Sequence, residues 1–356
     1  MIEIDGSMME GGGQILRMAL TYSAILQAPV KIFNIRGGRK PPGLKPQHLT
    51  SVEAVAKLCK TRIEGLKVGS TELTFTPKPP HGGEYVFDIK TAGSVSLLLQ
   101  CIIPIMAFSD SNSRIIVKGG TVVRHSPPIQ ILDRVILESA RSMGLKARLK
   151  TIREGFYPKG GGIVEASIQP IEDLKPLILK PKPEIRFVEG ASVCGKLPEH
   201  IAERQAQMAK KILNDRGFRT EINKVVIKGD SAPLSPGSYI CLWSVRENSV
   251  FIGADALGER GKPAERVGSE AAESLLSQIE TEASVDFHTA DNLIIWCSLA
   301  KGESCFTASR LTPHILSAVE LARRMLNISF EVYGEVGKPV KIKCRGIGFR
   351  RKSVTT

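Results

Sequence analysis

The chain has 356 residues, 42% hydrophobic and 24% charged, which is enough apolar content for one large core or two moderate ones in a globular protein. Forty-nine Lys and Arg against 36 Asp and Glu leave a net charge of +13, which favours a polyanionic partner. No apolar stretch approaches the roughly 20 residues that span a bilayer, residues 1–5 alternate like a strand rather than opening a secretory signal, and none of the seven cysteines forms a C-x-x-C pair, so a cytosolic protein with reduced thiols is expected.

In chain order, a strand over 1–5 leads through Gly11-Gly12-Gly13 into an apolar helix over 14–25 and a strand over 30–35. The loop Arg36-Gly37-Gly38-Arg39-Lys40-Pro41-Pro42 then precedes a helix over 47–59. The alternating stretches 72–76 and 85–89 read as a strand pair. The same order returns with Thr91-Ala92-Gly93, a helix over 94–107, a strand over 114–117, the loop Gly119-Gly120-Thr121 and a helix over 129–143. Strands over 146–152 and 162–168 follow as a pair. A third copy starts at Thr289-Ala290-Asp291, with a helix over 292–299, a strand over 304–308, a helix over 313–326 and paired strands over 330–333 and 340–344.

Gly37 and Gly119 stand 82 residues apart, as do Gly38 and Gly120, whereas Gly93 to Asp291 spans 198 residues, 116 more than that period. The fold expected is therefore α+β. Three βαβαββ repeats form a large domain over 1–182 and 284–356, with a small α/β domain inserted over 183–283. The Pro- and Lys-rich approach to the insert reads as a boundary. Within the insert, strands are expected over 185–193, 221–227, 239–245 and 250–254, and helices over 201–216 and 264–280. The basic clusters Lys180/Lys182, Lys210/Lys211 and Arg350/Arg351/Lys352 are each too short for a nucleic-acid tail.

The most specific string is Arg153-Glu154-Gly155-Phe156-Tyr157-Pro158-Lys159-Gly160-Gly161-Gly162-Ile163-Val164. By physics alone it is a glycine-rich hairpin between two strands. Its pattern, R-x-G-x-x-P-x-G-G-G-x-V, resembles a signature of the RNA 3′-terminal phosphate cyclase family. The run from Asp5-Gly6 through Glu10 to Arg17, the run Arg36 to Leu49, and the Thr91, Asp291 and His314 segments match that family in order. The likeness covers all three repeats and weakly the insert. It implies repeats similar to the C-terminal domain of translation initiation factor 3, the unit that also builds enolpyruvyl transferases.

Thr312-Pro313-His314 reads as an N-cap, a proline at the first helical position and a histidine in the first turn, where the positive helix end disfavours imidazolium. Taken alone, it is a polar surface residue. The resemblance implies that His314 attacks the α-phosphorus of ATP, and that AMP passes from the adenylyl-histidine to an RNA 3′-phosphate. The neighbouring 2′-hydroxyl then closes a 2′,3′-cyclic phosphate.

Glu10 suits a divalent cation, Mg2+ or Mn2+, or compensates a helix dipole. Arg17, Arg36 and Arg39 are expected to contact phosphate, with Arg17 in an otherwise apolar helix, and Gln47 to sit near the RNA 3′-phosphate. Lys40 and Lys45 read as solvated loop residues or as contacts trailing the RNA strand. The resemblance places Gln100, Pro127, His288, Thr289, Ala290, Asp291 and Asn292 around the nucleotide. His288 stands where the family commonly has an aromatic residue, Asn292 where it commonly has glutamine, and the loop 119–126 lacks the usual Asp-Asn. A non-catalytic relative acting in ribosome assembly is the chief alternative, and His314 argues against it. An enolpyruvyl transferase or an RNA-binding module without chemistry are further alternatives.

Overall fold

The first alternating segments pair through a helical crossover, and this sets the pattern of the chain. In the computed structural model, which describes residues 1–182, 184–185, 187–245 and 251–351, strand β1 (Ile2–Asp5) runs parallel to β2 (Val30–Phe33) across helix α1 (Gly13–Leu26). After α2 (Pro46–Leu58) come β3 (Ile63–Glu64) and β4 (Leu73–Phe75), giving a sheet of order β1-β2-β4-β3. The next sheet contains β5 (Gly83–Asp88), and α3 (Val95–Ala107) leads to β6 (Ser113–Gly119). A helix in three parts follows, α4 (Ile129–Ile131), a π turn (Leu132–Ile136) and α5 (Leu137–Ser142), before β7 (Lys146–Arg153) and β8 (Gly162–Gln169). The order is β5-β6-β8-β7, with the same senses of pairing as in the first sheet.

Strands β9 (Phe187–Gly195), β10 (Arg219–Ile227), β11 (Gly237–Val245) and β12 (Gly253–Leu257) make the third sheet, of order β10-β9-β11-β12. Helices α6 (His200–Asp215) and α7 (Ala264–Ile279) close a separate apolar core on one of its faces. Helix α8 (Phe287–Leu299), β13 (Lys301–Ala308), α9 (Pro313–Leu326), β14 (Phe330–Tyr333) and β15 (Val340–Ile347) finish the chain, in a sheet of order β13-β15-β14.

Both β-bridges at the free edge of β13 are parallel, Ile178 with Cys305 and Val285 with Ala308. The edge position is thus supplied in two pieces, one from each side of the third sheet's segment. Lys182 N–H donates to the Glu282 carbonyl at 2.7 Å, closing the neck between them. The apolar helices meet at the centre: α1 touches α2, α3 and α9, and α8 touches α9. Tyr22 and Ser298 hydroxyls hydrogen-bond at 2.8 Å across that buried interior, and the Thr21 hydroxyl donates to the Cys101 carbonyl at 2.9 Å. Each satisfies polar groups that would be costly if left alone in a core.

Three local expectations are corrected. Residues 72–76 do not pair with 85–89: β4 joins β2 and β3, and β5 runs parallel to β6. Pro77, Pro79 and Pro80 lie between the two, and their fixed φ and missing N–H groups carry the chain onward instead of into a hairpin. Helix α8 begins at Phe287, not at 292, because the Asp286 side chain caps it by accepting from Thr289 N–H at 2.6 Å. The helix expected over 129–143 carries a π turn, which shifts its phase where it packs against both α8 and Gly253 of β12. Pro183, Arg186, Val250 and Lys352, which fall in an expected boundary, two expected strands and a basic cluster, lie outside the described residues.

Candidate active site

Two glycine loops meet backbone to backbone. Gly11 adopts φ +62°, and a Cβ there would stand 2.8 Å from Gly38 N, while Gly38 N–H itself donates to the Gly11 carbonyl at 3.2 Å. Only glycine permits this approach. It brings Glu10 and Arg39 into an ion pair, and α1 rises from the same point. Beside it opens a cleft of about 730 Å3, within the roughly 300–1,000 Å3 typical of ligand sites. Its walls come from α1, α2, α3, the π turn, β12, α7, α8 and α9.

His314 lies in the first turn of α9, behind the Thr312 cap, whose hydroxyl accepts from Ile315 N–H at 3.2 Å. One of the N–H groups at that helix terminus is thereby paired. The imidazole Nδ1 stands 2.9 Å from Gln14 Oε1 and 4.0 Å from Glu10 Oε2. An amide oxygen only accepts, so Nδ1 carries the proton and Nε2 keeps its lone pair. Burial, then His288, Arg39 and Arg17, hold the His314 pKa below its ordinary value. Both the lowered pKa and the proton on Nδ1 favour a neutral ring with Nε2 unprotonated.

Glu10 Oε2 is buried and has no hydrogen-bond partner among the described residues. A hard cation is the kind of group such an oxygen fits. No cluster of three or more His, Cys, Asp or Glu able to hold a metal occurs among the described residues, so phosphate oxygens and water would have to complete the shell. Gly12 allows the carboxylate its position, since a Cβ there would fall inside contact distance of it.

Arg17 reaches the cleft with no ion pair or hydrogen bond to its guanidinium among the described residues, although Asp291 and Cys101 act on its charge. Arg36 is buried, and its Nη1 donates to the carbonyls of Pro41 (3.0 Å) and Gly43 (2.8 Å). Part of the expected phosphate clamp is therefore engaged in shaping its own loop. Gln47, Gln100 and Pro127 also line the cleft.

The first turn of α8 divides its residues. His288, Asp291 and Asn292 line the cleft, whereas Thr289 and Ala290 turn inward and are fully buried. Thr289 completes the Asp286 cap, its hydroxyl donating at 2.7 Å. Burial, then Arg310, pushes His288 down to about 4, and its ring packs 4.0 Å from that of Phe287. Asn292 Nδ2 donates to Asp291 Oδ1 at 2.6 Å, yet burial and then Asp286 push Asp291 up to about 8.

Sequence reasoning missed Gln14, His48 and Asp255. His48 is buried under the glycine loop, its Nδ1 accepting from Lys45 N–H at 3.1 Å, and burial, then Arg17, pushes it down to about 3. A Cβ on Gly13 would meet its Nε2 at 2.5 Å. Asp255 enters from β12, and burial, then Asp286, pushes it up to about 7. None of the residues of the glycine-rich hairpin 153–164 lines the cleft. That hairpin seats the third sheet: Tyr239 donates to Glu154 Oε1 at 2.8 Å, Glu154 also accepts from Thr121, and Lys159 N–H donates to Ser235 at 3.2 Å.

A family model described as RNA 3′-terminal phosphate cyclase matches residues 8–332. The RNA 3′-terminal phosphate cyclase of Desulfurococcus amylolyticus is 43% identical over 354 residues, covering 98% of this chain and 99% of its own. That of Methanopyrus kandleri is 44% identical over 350 residues, with 98% and 99% covered. That of Pyrococcus furiosus is 43% identical over 343 residues, with 96% and 98% covered. An EPSP synthase from Acinetobacter baumannii aligns with 97% of this chain and 66% of its own at 11% identity and a TM-score of 0.29, a likeness too slight to carry an argument.

Proposed function

The chain belongs to the RNA 3′-terminal phosphate cyclase family, and from that premise we propose that it converts an RNA 3′-phosphate to a 2′,3′-cyclic phosphate at the expense of ATP. The observation that carries the reading is the His314–Gln14 contact, which leaves a neutral imidazole with an unprotonated Nε2 in a cleft lined by Arg17 and Arg39. Nε2 attacks the α-phosphorus, pyrophosphate leaves, and the adenylyl group then passes from the histidine to the terminal phosphate. The adjoining ribose hydroxyl displaces AMP. Arg17, Arg36, Arg39 and Gln47 orient the phosphates. Gln100, Pro127, His288, Asp291 and Asn292 surround the nucleoside, with Thr289 and Ala290 holding that helical turn in place. Glu10 would hold Mg2+ or Mn2+, which draws charge from the triphosphate.

The same reading divides the chain into a large body over 1–182 and 284–356 and an inserted unit over 183–283. The separate core beneath α6 and α7 and the two-piece edge of β13 support it. Three βαβαββ repeats are supported by the shared strand order of the first two sheets and by the matching β13-β15-β14 order, which takes its edge from 178 and 285. The charge of +13 suits RNA. The reading places the enzyme in the cytoplasm. Among the described residues no helix is long and apolar enough to cross a membrane.

Incubation with α-labelled ATP and a divalent cation, followed by denaturation, should leave acid-labile, alkali-stable label on the wild type and none on His314→Ala. Equal labelling of the two proteins would overturn the assignment and return the non-catalytic alternative.

A further inference from the structure

Among the described residues, the cleft contains two carboxyls that the proposed chemistry does not use, Asp286 and Asp255. Asp286 is occupied by Thr289 and by Gly253 N–H (3.1 Å), and Asp291 accepts from Asn292. Asp255 lines the same cleft, yet among the described residues no hydrogen bond or ion pair satisfies it. A carboxyl in a cleft wall that no group of the chain satisfies is open to a donor from outside it.

The register of the third sheet fixes where Asp255 points. Ala254 and Ala256 belong to the core beneath α6 and α7, so Gly253 and Asp255 share the opposite face. A Cβ on Gly253 would stand 2.8 Å from Val135 and 3.3 Å from Ile131, which places that face against the π turn.

The strand neighbour of Asp255 fixes its surroundings: Gly253, on the same face of β12, abuts Val135 and Ile131, and a phosphate beside the Asp255 carboxylate would meet like charge. Ile131, beside that face, lines the cleft together with Leu132 and Pro127, and the three give it an apolar wall suited to a base.

We propose that Asp255, carried into the cleft by the inserted unit, selects the nucleobase of the co-substrate by accepting a hydrogen bond from the 6-amino group of adenine. Guanine and hypoxanthine present a carbonyl at that position, which offers ionised Asp255 no donor and sets one acceptor against another. The inserted unit is then a wall of the nucleotide pocket and its specificity element. This inference rests on the reading of the cleft as an ATP site.

The test is single-turnover protein labelling with ATP and with purine riboside triphosphate, in which hydrogen replaces the 6-amino group, on wild type, Asp255→Ala and Asp255→Asn. Wild type should prefer ATP by roughly ten- to hundredfold in kcat/KM, the span expected for one hydrogen bond to a charged acceptor, and mostly through KM. In Asp255→Ala the preference should collapse towards unity. Asp255→Asn is isosteric and keeps an accepting oxygen, so it should fall between them. An unchanged preference in Asp255→Ala, an equal loss for both nucleotides, or a loss that disappears with 2′-deoxy-ATP and so belongs to the ribose would overturn the assignment. Wild type that takes no label from either nucleotide would instead remove the ATP reading, and this inference with it.

Discussion

Replacing Gln14 perturbs the proposed nucleophile without touching it. In Gln14→Ala the Glu10 carboxylate, with Oε2 4.0 Å from His314 Nδ1, is beyond hydrogen-bond range and does not replace the lost acceptor. The ring loses both its orientation and its tautomer preference. One neutral hydrogen bond is worth about 0.5–1.5 kcal/mol, so the labelling rate should fall by roughly two- to tenfold. Gln14→Glu tests the same contact through charge. A carboxylate at 2.9 Å from Nδ1 stabilises imidazolium, opposing the burial and the His288, Arg39 and Arg17 charges that keep His314 below its usual pKa. The sign follows directly: wild type stays reactive down through the ordinary histidine range, and the acid limb of the Gln14→Glu pH–rate profile moves to higher pH. Single-turnover labelling with α-labelled ATP across pH measures both effects. A Gln14→Ala enzyme that labels at the wild-type rate, together with an unmoved acid limb in Gln14→Glu, would refute the role given to Gln14.

Gly12 has φ −111°, which any residue accepts, so Gly12→Ala should leave the melting temperature nearly unchanged while its methyl displaces the Glu10 carboxylate; the divalent-ion concentration for half-maximal labelling should rise, and an unaltered requirement would count against a metal at Glu10. Burial raises the pKa of Glu154 although Thr121 and Tyr239 pull it back, so its contribution to stability is present at low pH and is lost as pH climbs through the folded value. Glu154→Gln removes that loss, and its melting temperature should gain on wild type as pH rises above the ordinary glutamate range, whereas parallel curves would contradict the linkage.

Much of this arrangement is legible in the amino-acid order because local signals agree with the tertiary ones. Thr312-Pro313-His314 marks the start of α9, and the helix runs Pro313–Leu326 as its cap predicts. Asp286 is an equally good cap, but the analogy with Thr91-Ala92-Gly93 hides it, because in that copy the cap is Ser94, after the triplet. Gln14 and His314 are 300 residues apart, and no periodicity announces that their side chains meet. Asp255 is obscured for another reason: it alternates with core alanines on a short strand, and only the docking of that sheet against the π turn shows what its other face serves. Arg36 reads as a phosphate ligand by residue type, yet two nearby carbonyls take up part of its guanidinium. The 72–76 and 85–89 stretches show that strand content is easier to read than strand partnership, which depends on where the chain goes after a proline run.

The divided edge of β13 bears on how the molecule assembles during synthesis. Residue 178 leaves the ribosome before the whole third-sheet segment and residue 285 after it, so neither can hold the edge until β13 itself arrives. The Lys182–Glu282 contact means that the long intervening stretch begins and ends at nearly one point in space. Once that stretch has folded on its own core, the entropic cost of joining its ends has already been met. To the rest of the chain it then behaves like a tight turn, and the two edge pieces of the last sheet are held near each other despite the distance between them in sequence.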